Sequence, residues 1–235
     1  DQNELVYLMT GQRVTTEPPR AIAEDAGVLL EVSNLSKTRN YRDVSFDLRQ
    51  GEILGIIGRL GSGRSELALS LFGMNPADAG TVRLNGQSLM LETNAQATKA
   101  GIKIPNLAAA VQTLSGGNQQ KVVLSKWLAT NPKVLILDEP TVGIDVYAKN
   151  SVHALVKQLA EDGRGIIMIS DEVSEVLSNC HRVLGMDRGH ILDEIIPGPD
   201  AENDLLTRFN LAYRQILHPT HAFISLQPNL YAEYF

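Results

Sequence analysis

Gly58-Arg59-Leu60-Gly61-Ser62-Gly63-Arg64-Ser65 decides the fold. The apolar run Ile53-Leu54-Gly55-Ile56-Ile57 precedes it, and the helix-like segment Glu66-Leu67-Ala68-Leu69-Ser70-Leu71-Phe72 follows. Strand, glycine-rich loop and helix form the context that a phosphate-binding loop requires, and the spacing fits G-x-x-x-x-G-K-[ST] except that Arg64 stands in place of Lys. Glycines let such a loop curl so that successive backbone N–H groups point inward. Those dipoles, backed by the helix N-terminus, hold phosphate oxygens, and the Ser65 hydroxyl is placed to meet Mg²⁺.

A second element begins 76 residues after Gly58, at Val134. Val134-Leu135-Ile136-Leu137 is short and wholly apolar, as a strand buried on both faces of a parallel sheet reads. It ends in Asp138-Glu139-Pro140. Ligands of open α/β sheets sit beyond the carboxyl ends of strands, so this acidic pair is expected to face the phosphate loop. Asp138 is the candidate Mg²⁺ support, and Glu139 the candidate base that orients an attacking water. A third element is Leu114-Ser115-Gly116-Gly117-Asn118-Gln119-Gln120-Lys121, in which Ser115 is a helix cap and Gly116 and Gly117 allow close approach of backbone to a ligand.

Around these, Val28-Leu29-Leu30-Glu31-Val32 reads as a strand and starts the domain. Tyr41 to Leu48 alternates like a half-buried strand, and Thr81 to Gln87 reads as a strand ending in an Asn-Gly hairpin turn. Near Ile102 the periodicity falters. Segment 119–130 reads as a helix, Val152 to Leu159 has helical spacing, Gly165 to Ile169 is a buried strand, Glu172 to Leu177 is helical and Val183 to Leu192 is a hairpin. Alternating strands and helices predict an α/β fold, a mainly parallel sheet with an antiparallel portion near the start.

The chain has 235 residues with 43% hydrophobic and 20% charged residues, which suits a globular domain with a sizeable core. Its net charge of −6 argues against a nucleic-acid partner. The single cysteine, Cys180, cannot form an internal disulfide, which favours a reducing compartment. No apolar run is long enough to span a bilayer. The start, Asp1-Gln2-Asn3-Glu4, has neither an initiator Met nor a leader pattern, so a fragment of a longer protein is expected.

Together, and in this order, the three elements resemble the nucleotide-binding domain of ABC transporters, a P-loop NTPase fold. Leu114 to Lys121 resembles their signature motif in the form of bacterial ribose, galactose and xylose import ATPases. Val134 to Pro140 resembles Walker B, and Gly143-Ile144-Asp145 the D-loop. Glu4 to Gly11 resembles the closing helix of a first ATPase domain, and 15–20 a linker. The resemblance implies three segments: 1–27, the end of a preceding domain and linker; 28–205, an ABC ATPase domain; and 206–235, a tail of unassigned role. It also implies head-to-tail pairing with the first ATPase half or another ABC domain, Mg²⁺ and ATP as cofactors, membrane permease subunits as partners, and indirectly a periplasmic sugar-binding protein. The expected location is the cytoplasmic face of the membrane. Gly58, Arg59, Leu60, Gly61, Ser62, Gly63, Arg64, Ser65 and Glu66 would then hold this half's nucleotide, while Ser115, Gly116, Gly117 and Asn118 would serve the partner domain's.

Two departures predict a weak site. Arg64 replaces the loop lysine, and Asp171 stands where most ABC domains carry a switch His beside the terminal phosphate. A carboxylate there is expected to repel phosphate unless protonated or paired with Mg²⁺. A third departure is a missing helical subdomain: Gly101-Ile102 resembles the approach to the family's Q-loop, and Lys103-Ile104-Pro105 the exit of that subdomain. Either the middle is deleted or it was left out of the sequence, and the fit of each flank to the family favours omission. No Q-loop residue is assigned, Gln112 being a poor candidate. No aromatic matches the usual adenine-stacking residue; Tyr41 is nearest, and strand packing is its expected role. His153, His181 and His190 show no metal-ligand spacing and are expected at surface or core, and Trp127 is expected in the core.

Overall fold

The computed structural model describes residues 18–103, 131–198 and 201–202. The chain enters as a hairpin, β1 (Val28–Lys37) and β2 (Tyr41–Arg49), then lays down β3 (Ile53–Gly58) and helix α1 (Arg64–Leu71). Strands β4 (Ala79–Leu84) and β5 (Gln87–Leu89) follow, then helix α2 (Asn94–Ala100) and the short β6 (Ile102–Lys103). Beyond residue 130 come β7 (Val134–Asp138), α3 (Val146–Glu161), β8 (Gly165–Ile169), α4 (Val173–Asn179), β9 (Arg182–Asp187) and β10 (His190–Ile195).

Two sheets result. One is antiparallel, in the order β2-β1-β4-β5; the other has the order β10-β9-β3-β8-β7-β6 and is parallel except where β10 pairs with β9. The expected mainly parallel sheet with an antiparallel portion is thus present.

Period-two alternation explains the layering. Ile53 and Ile57 of β3, Leu135 and Leu137 of β7, and Ile166 and Met168 of β8 point to one face, where they pack with Val152 and Val156 of α3 and Val176 of α4. Leu54, Ile56, Ile136, Ile167 and Ile169 point to the other face and meet Leu30, Val32, Val44 and Leu48 of the antiparallel sheet and Leu67 and Leu71 of α1. Each fully buried aliphatic side chain contributes about 1.5–3 kcal/mol, so a central sheet covered on both faces is the favoured arrangement for such uninterrupted apolar runs.

The predicted Asn-Gly turn joins β4 to β5 with Asn85 and Gly86 both at positive φ, and Arg188-Gly189 closes the β9–β10 hairpin in the same way. The Tyr41 ring is buried at 3% exposure in the core, which bears out strand packing. Where the periodicity falters the structure nevertheless has order. Helix α2 is closed by a capping box, the Thr93 side chain taking the Gln96 N–H and the Gln96 side chain returning to the Thr93 N–H. Ile102 and Lys103 are consecutive residues of β6, whose register against β7 is Ile102 opposite Val134 and Lys103 opposite Leu135. The join between the two family-like flanks therefore lies within β6, the outermost strand on that side among the described residues. Leu5 to Met9, the 119–130 helix, Gln112 and Trp127 lie outside the described residues.

Arg182 fastens the two sheets together. Its guanidinium reaches Glu52 at 2.5 Å, Glu194 at 2.8 Å and Asp47 at 3.1 Å, and it also donates to the Asp47 carbonyl. Buried Glu52, at 1% exposure, is satisfied by this contact and by the Arg49 N–H. The surrounding carboxylates hold the Arg182 pKa above its ordinary value despite burial, which acts the other way.

Candidate phosphate site at the carboxyl edge of the parallel sheet

The phosphate loop runs from the end of β3 into α1 without a side-chain cap. Gly63 occupies the N-cap position at φ 96°, and the first-turn amides of Arg64, Ser65 and Glu66 have no partner inside the helix. A left-handed N-cap requires glycine here for a second reason: a Cβ on Gly63 would sit 2.6 Å from the Asn40 carbonyl oxygen. Gly58 is equally confined, since a Cβ there would lie 2.3 Å from the Met186 carbonyl oxygen and 2.6 Å from Ser62 Oγ. The loop rests on the β9–β10 turn through the Gly189 N–H, which donates to the Ser62 carbonyl at 2.9 Å, while the Ser62 N–H closes a turn onto the Arg59 carbonyl. Ser62 is 2% exposed and its hydroxyl has no hydrogen-bond partner among the described residues, an arrangement that suits an oxygen-rich ligand in the loop. Ser65 and Glu66 are half-buried; Arg59, Leu60 and Gly61 face solvent, Leu60 at 90% exposure.

Strand register brings the acidic pair to the same edge. Ile56 of β3 and Asp138 of β7 are both level with Ile169 of β8, and the three strands are parallel. Their carboxyl ends therefore coincide, with β3 and β7 about 10 Å apart, two strand spacings. Helix α1 packs against β7. The loop and Asp138 thus lie at the same edge, as the sequence predicts. Glu139 leaves the strand with φ at 50°, a left-handed turn that costs a non-glycine residue about 1 kcal/mol and swings the side chain out of the strand direction. Its N–H is held by the Ile169 carbonyl at 2.9 Å, and its carboxylate lies beside the Asp171 backbone.

Burial, with Asp171 and Asp138 close by, pushes the Glu139 carboxyl up to about 7, although Arg64 works in the opposite direction. A carboxylate poised near neutrality has the proton affinity a general base needs. Asp145, at the D-loop position, serves α3 as N-cap, its carboxylate accepting the Ala148 N–H at 2.9 Å.

The structure treats the two departures as one. Arg64, 7% exposed, donates from Nη2 to Asp171 Oδ1 at 2.5 Å and from Nη1 to the Ser170 carbonyl at 3.1 Å. Asp171, expected to repel phosphate unless protonated or paired with Mg²⁺, here has its charge met by the loop's own guanidinium. A planar fork can hold a carbonyl and a carboxylate together, which a lysine ammonium does less well.

Sequence reasoning missed what lies behind this edge. Glu175, on α4, is buried and collects Thr141, Ser170 and His153. Its ligands are 5 to 34 residues away along the chain. The signal available in sequence was weak: polar residues within otherwise apolar helical faces.

Residues 58–66, Asp138, Glu139 and Asp171 are thus brought to one edge. Ser115, Gly116, Gly117 and Asn118 lie outside the described residues. Among the described residues no cluster of three or more His, Cys, Asp or Glu side chains forms a metal cage. Mg²⁺ needs none, since it binds through one or two protein oxygens while keeping waters and phosphate oxygens; a hydroxyl such as Ser65 and a carboxylate such as Asp138 are the hard donors it takes. Among the described residues no helix is long and apolar enough to cross a membrane.

Comparison with known proteins agrees with this geometry. The family model described as ABC transporter matches residues 41–105 and 93–142, two pieces that overlap at 93–105, where the Ile102-Lys103 join lies. A putative ribose/galactose/methyl galactoside import ATP-binding protein of Ralstonia nicotianae is 37% identical over 81% of this chain and 47% of its own length. Ribose import ATP-binding protein RbsA 3 of Rhizobium meliloti is 35% identical over 87% of this chain and 52% of its own. The chain spans about half the length of the curated relatives it matches. The match to the Ralstonia protein runs over 245 positions while taking in 81% of this chain, so that relative carries residues within the matched region that this chain lacks. Among solved structures, an ATP-binding cassette of an ABC transporter in its ADP conformation superimposes with a TM-score of 0.69 at 20% identity, covering 77% of this chain and 95% of that one. CbiO1 from Clostridium perfringens gives 0.68 at 20% identity, covering 79% and 96%. At that identity the likeness shows the fold.

Proposed function

From the premise that this chain belongs to the ABC transporter ATP-binding family, homologous to ribose and galactose import ATP-binding proteins, we propose that it is the nucleotide-binding half of a sugar importer. It binds Mg-ATP and couples hydrolysis to sugar uptake through a membrane permease, working at the cytoplasmic face of the membrane. Domain 28–205 carries the activity, 1–27 links it to a first ATPase half, and 206–235 is a tail of unassigned role. A periplasmic sugar-binding protein is the indirect partner, and nucleic acid is not a partner.

One observation carries the reading. Parallel register sets the uncapped, glycine-lined loop and the Asp138-Glu139 strand end on one edge. In this reading the amides between Gly58 and Glu66, including those of Arg59, Leu60, Gly61, Ser62 and Gly63, cradle the phosphates. Ser65 and Asp138 would hold Mg²⁺, which would supply neutralisation of phosphate charge. Glu139 takes a proton from the attacking water, and its value near 7 lets it do so at neutral pH. Asp171 orients Arg64 beside the terminal phosphate. Ser115, Gly116, Gly117 and Asn118 cap a helix that serves the partner domain's nucleotide.

A second reading is favoured by the Arg64–Asp171 pair. A loop cation already held by a carboxylate and a carbonyl has less to offer a phosphate, so this half is a catalytically weak module whose main contribution is the signature segment given in trans. Titrating ATP with and without Mg²⁺ tests the first reading, and adding the first ATPase half while following phosphate release separates the two. Tight Mg-ATP binding with turnover lost in Glu139→Gln supports the first. Binding with turnover indifferent to Glu139→Gln supports the second. Absence of Mg-dependent ATP binding refutes both.

A further inference from the structure

Behind the nucleotide edge sits a buried carboxylate to which the mechanism above gives no task. The Glu175 side chain is 3% exposed and accepts three hydrogen bonds. Oε1 takes the Thr141 hydroxyl at 2.6 Å and lies 2.6 Å from His153 Nε2; Oε2 takes the Ser170 hydroxyl. A carboxylate only accepts, so the His153 ring nitrogen facing it carries a proton and donates. These contacts hold Glu175 in its charged form, below the ordinary range, even though burial works the other way. The backbone is pinned as well, by Asn179 Nδ2 donating to the Glu175 carbonyl at 2.8 Å.

The three ligands sit on three different elements. Thr141 follows Glu139 by two residues, in the turn where the Val142 N–H meets the Glu139 carbonyl. Ser170 precedes Asp171, its carbonyl takes the Arg64 guanidinium, its hydroxyl takes the Glu172 N–H and its own N–H reaches the Ile56 carbonyl at the end of β3. His153 lies on α3, which the D-loop feeds. An apolar residue of the same size could fill this space; a buried ion that satisfies two hydroxyls and a ring sets geometry.

We propose that Glu175 is a positioning residue for the nucleotide edge: its carboxylate binds the turn carrying Glu139 and the turn carrying Asp171 into one unit, so that a change at one is felt at the other. This rests on the Mg-ATP reading. It deepens that reading by assigning the element through which the base position and the switch position communicate. The Glu139 carboxylate already lies beside Asp171, and Glu175 holds the turn on each side of that approach through Thr141 and Ser170.

The test is a double-mutant cycle on Mg-ATP affinity, a readout independent of hydrolysis. Glu139→Gln and Asp171→Asn are introduced singly and together, in the native protein and in Glu175→Gln. In the native background their effects on the dissociation constant are expected to be non-additive by about fivefold or more. In Glu175→Gln, whose amide cannot accept the Ser170 hydroxyl while serving Thr141 and His153, the coupling is expected to fall below about twofold. If Glu175→Gln fails to fold, Thr141→Val cuts a single arm and is expected to give the same loss, with Thr141→Ser restoring the coupling. Coupling retained in folded Glu175→Gln or Thr141→Val overturns the proposal, as does its loss in Thr141→Ser. A native protein that binds no Mg-ATP removes the functional reading itself, an outcome visible before any variant is made.

Discussion

Glu139→Gln is expected to stabilise the nucleotide-free protein at pH 8, to do so clearly less at pH 5 and to leave it almost unchanged at pH 4. Burial, together with Asp171 and Asp138, raises the Glu139 carboxyl from 4.5 to about 7 in the folded state. The folded state therefore binds this proton more tightly than the unfolded chain does. The stabilisation linked to the proton is complete below pH 4.5 and is lost as pH climbs through 7, above which a flat penalty remains. A displacement from 4.5 to about 7 corresponds to about 3 kcal/mol for a fully buried group. Glu139 is only half-buried, and solvent screening lowers the expected figure to about 1–2 kcal/mol. For a protein of this size that is about 3–6 °C in Tm. Glutamine keeps the shape of the neutral acid and cannot ionise, so the gap between variant and native protein isolates the charge. Thermal melts from pH 4 to pH 8 without nucleotide read it directly. A gap that does not widen with pH, or a native protein more stable than the variant at pH 8, refutes the account of the site's electrostatics.

Arg64→Ala and Asp171→Asn are expected to be coupled by about 1 kcal/mol in a stability cycle, limited because Asp171 is 65% exposed; additive effects in urea melts would show that the pair contributes nothing measurable. Gly63→Ala combines a positive φ with a Cβ 2.6 Å from the Asn40 carbonyl, so a loss of about 1–3 kcal/mol and a severalfold weaker Mg-ATP affinity are expected, measured by melts and ATP titration.

What the sequence made legible was what is local. A glycine-rich turn between an apolar run and a helix, and an apolar tetrapeptide ending in two acids, each report their own backbone. The parallel sheet then follows, because strands buried on both faces have few other homes. Helix α2 announces itself only through the Thr93-x-x-Gln96 box and Gly101 at its end, because its surface positions carry little hydrophobic periodicity. Long-range polar pairing was not legible. Arg64 and Asp171 are 107 residues apart and read separately as two defects. Thr141 and Glu175, 34 residues apart, gave no signal, since a polar residue on an apolar helix face has no pattern that names its partner. His153 was expected at surface or core; it is in the core, and the carboxylate it faces is what makes that burial tolerable.

The Arg64–Asp171 contact changes how the two departures bear on catalysis. Taken alone, an arginine in the loop misplaces a charge and an aspartate at the switch adds one of the wrong sign. Paired, they offset each other's charge at this edge, and the Glu139 carboxyl beside them is pushed up to about 7. That balance depends on the fork: Nη1 spans to the Ser170 carbonyl while Nη2 holds Asp171, so the guanidinium is fixed by two bonds and tied through Ser170 to buried Glu175. A lysine at position 64 could satisfy one of these acceptors at hydrogen-bond distance with its compact ammonium and would leave the other to water. The residue at 171 is therefore constrained by the residue at 64 through geometry as well as charge, and the two positions act as a single site feature rather than as two independent lesions.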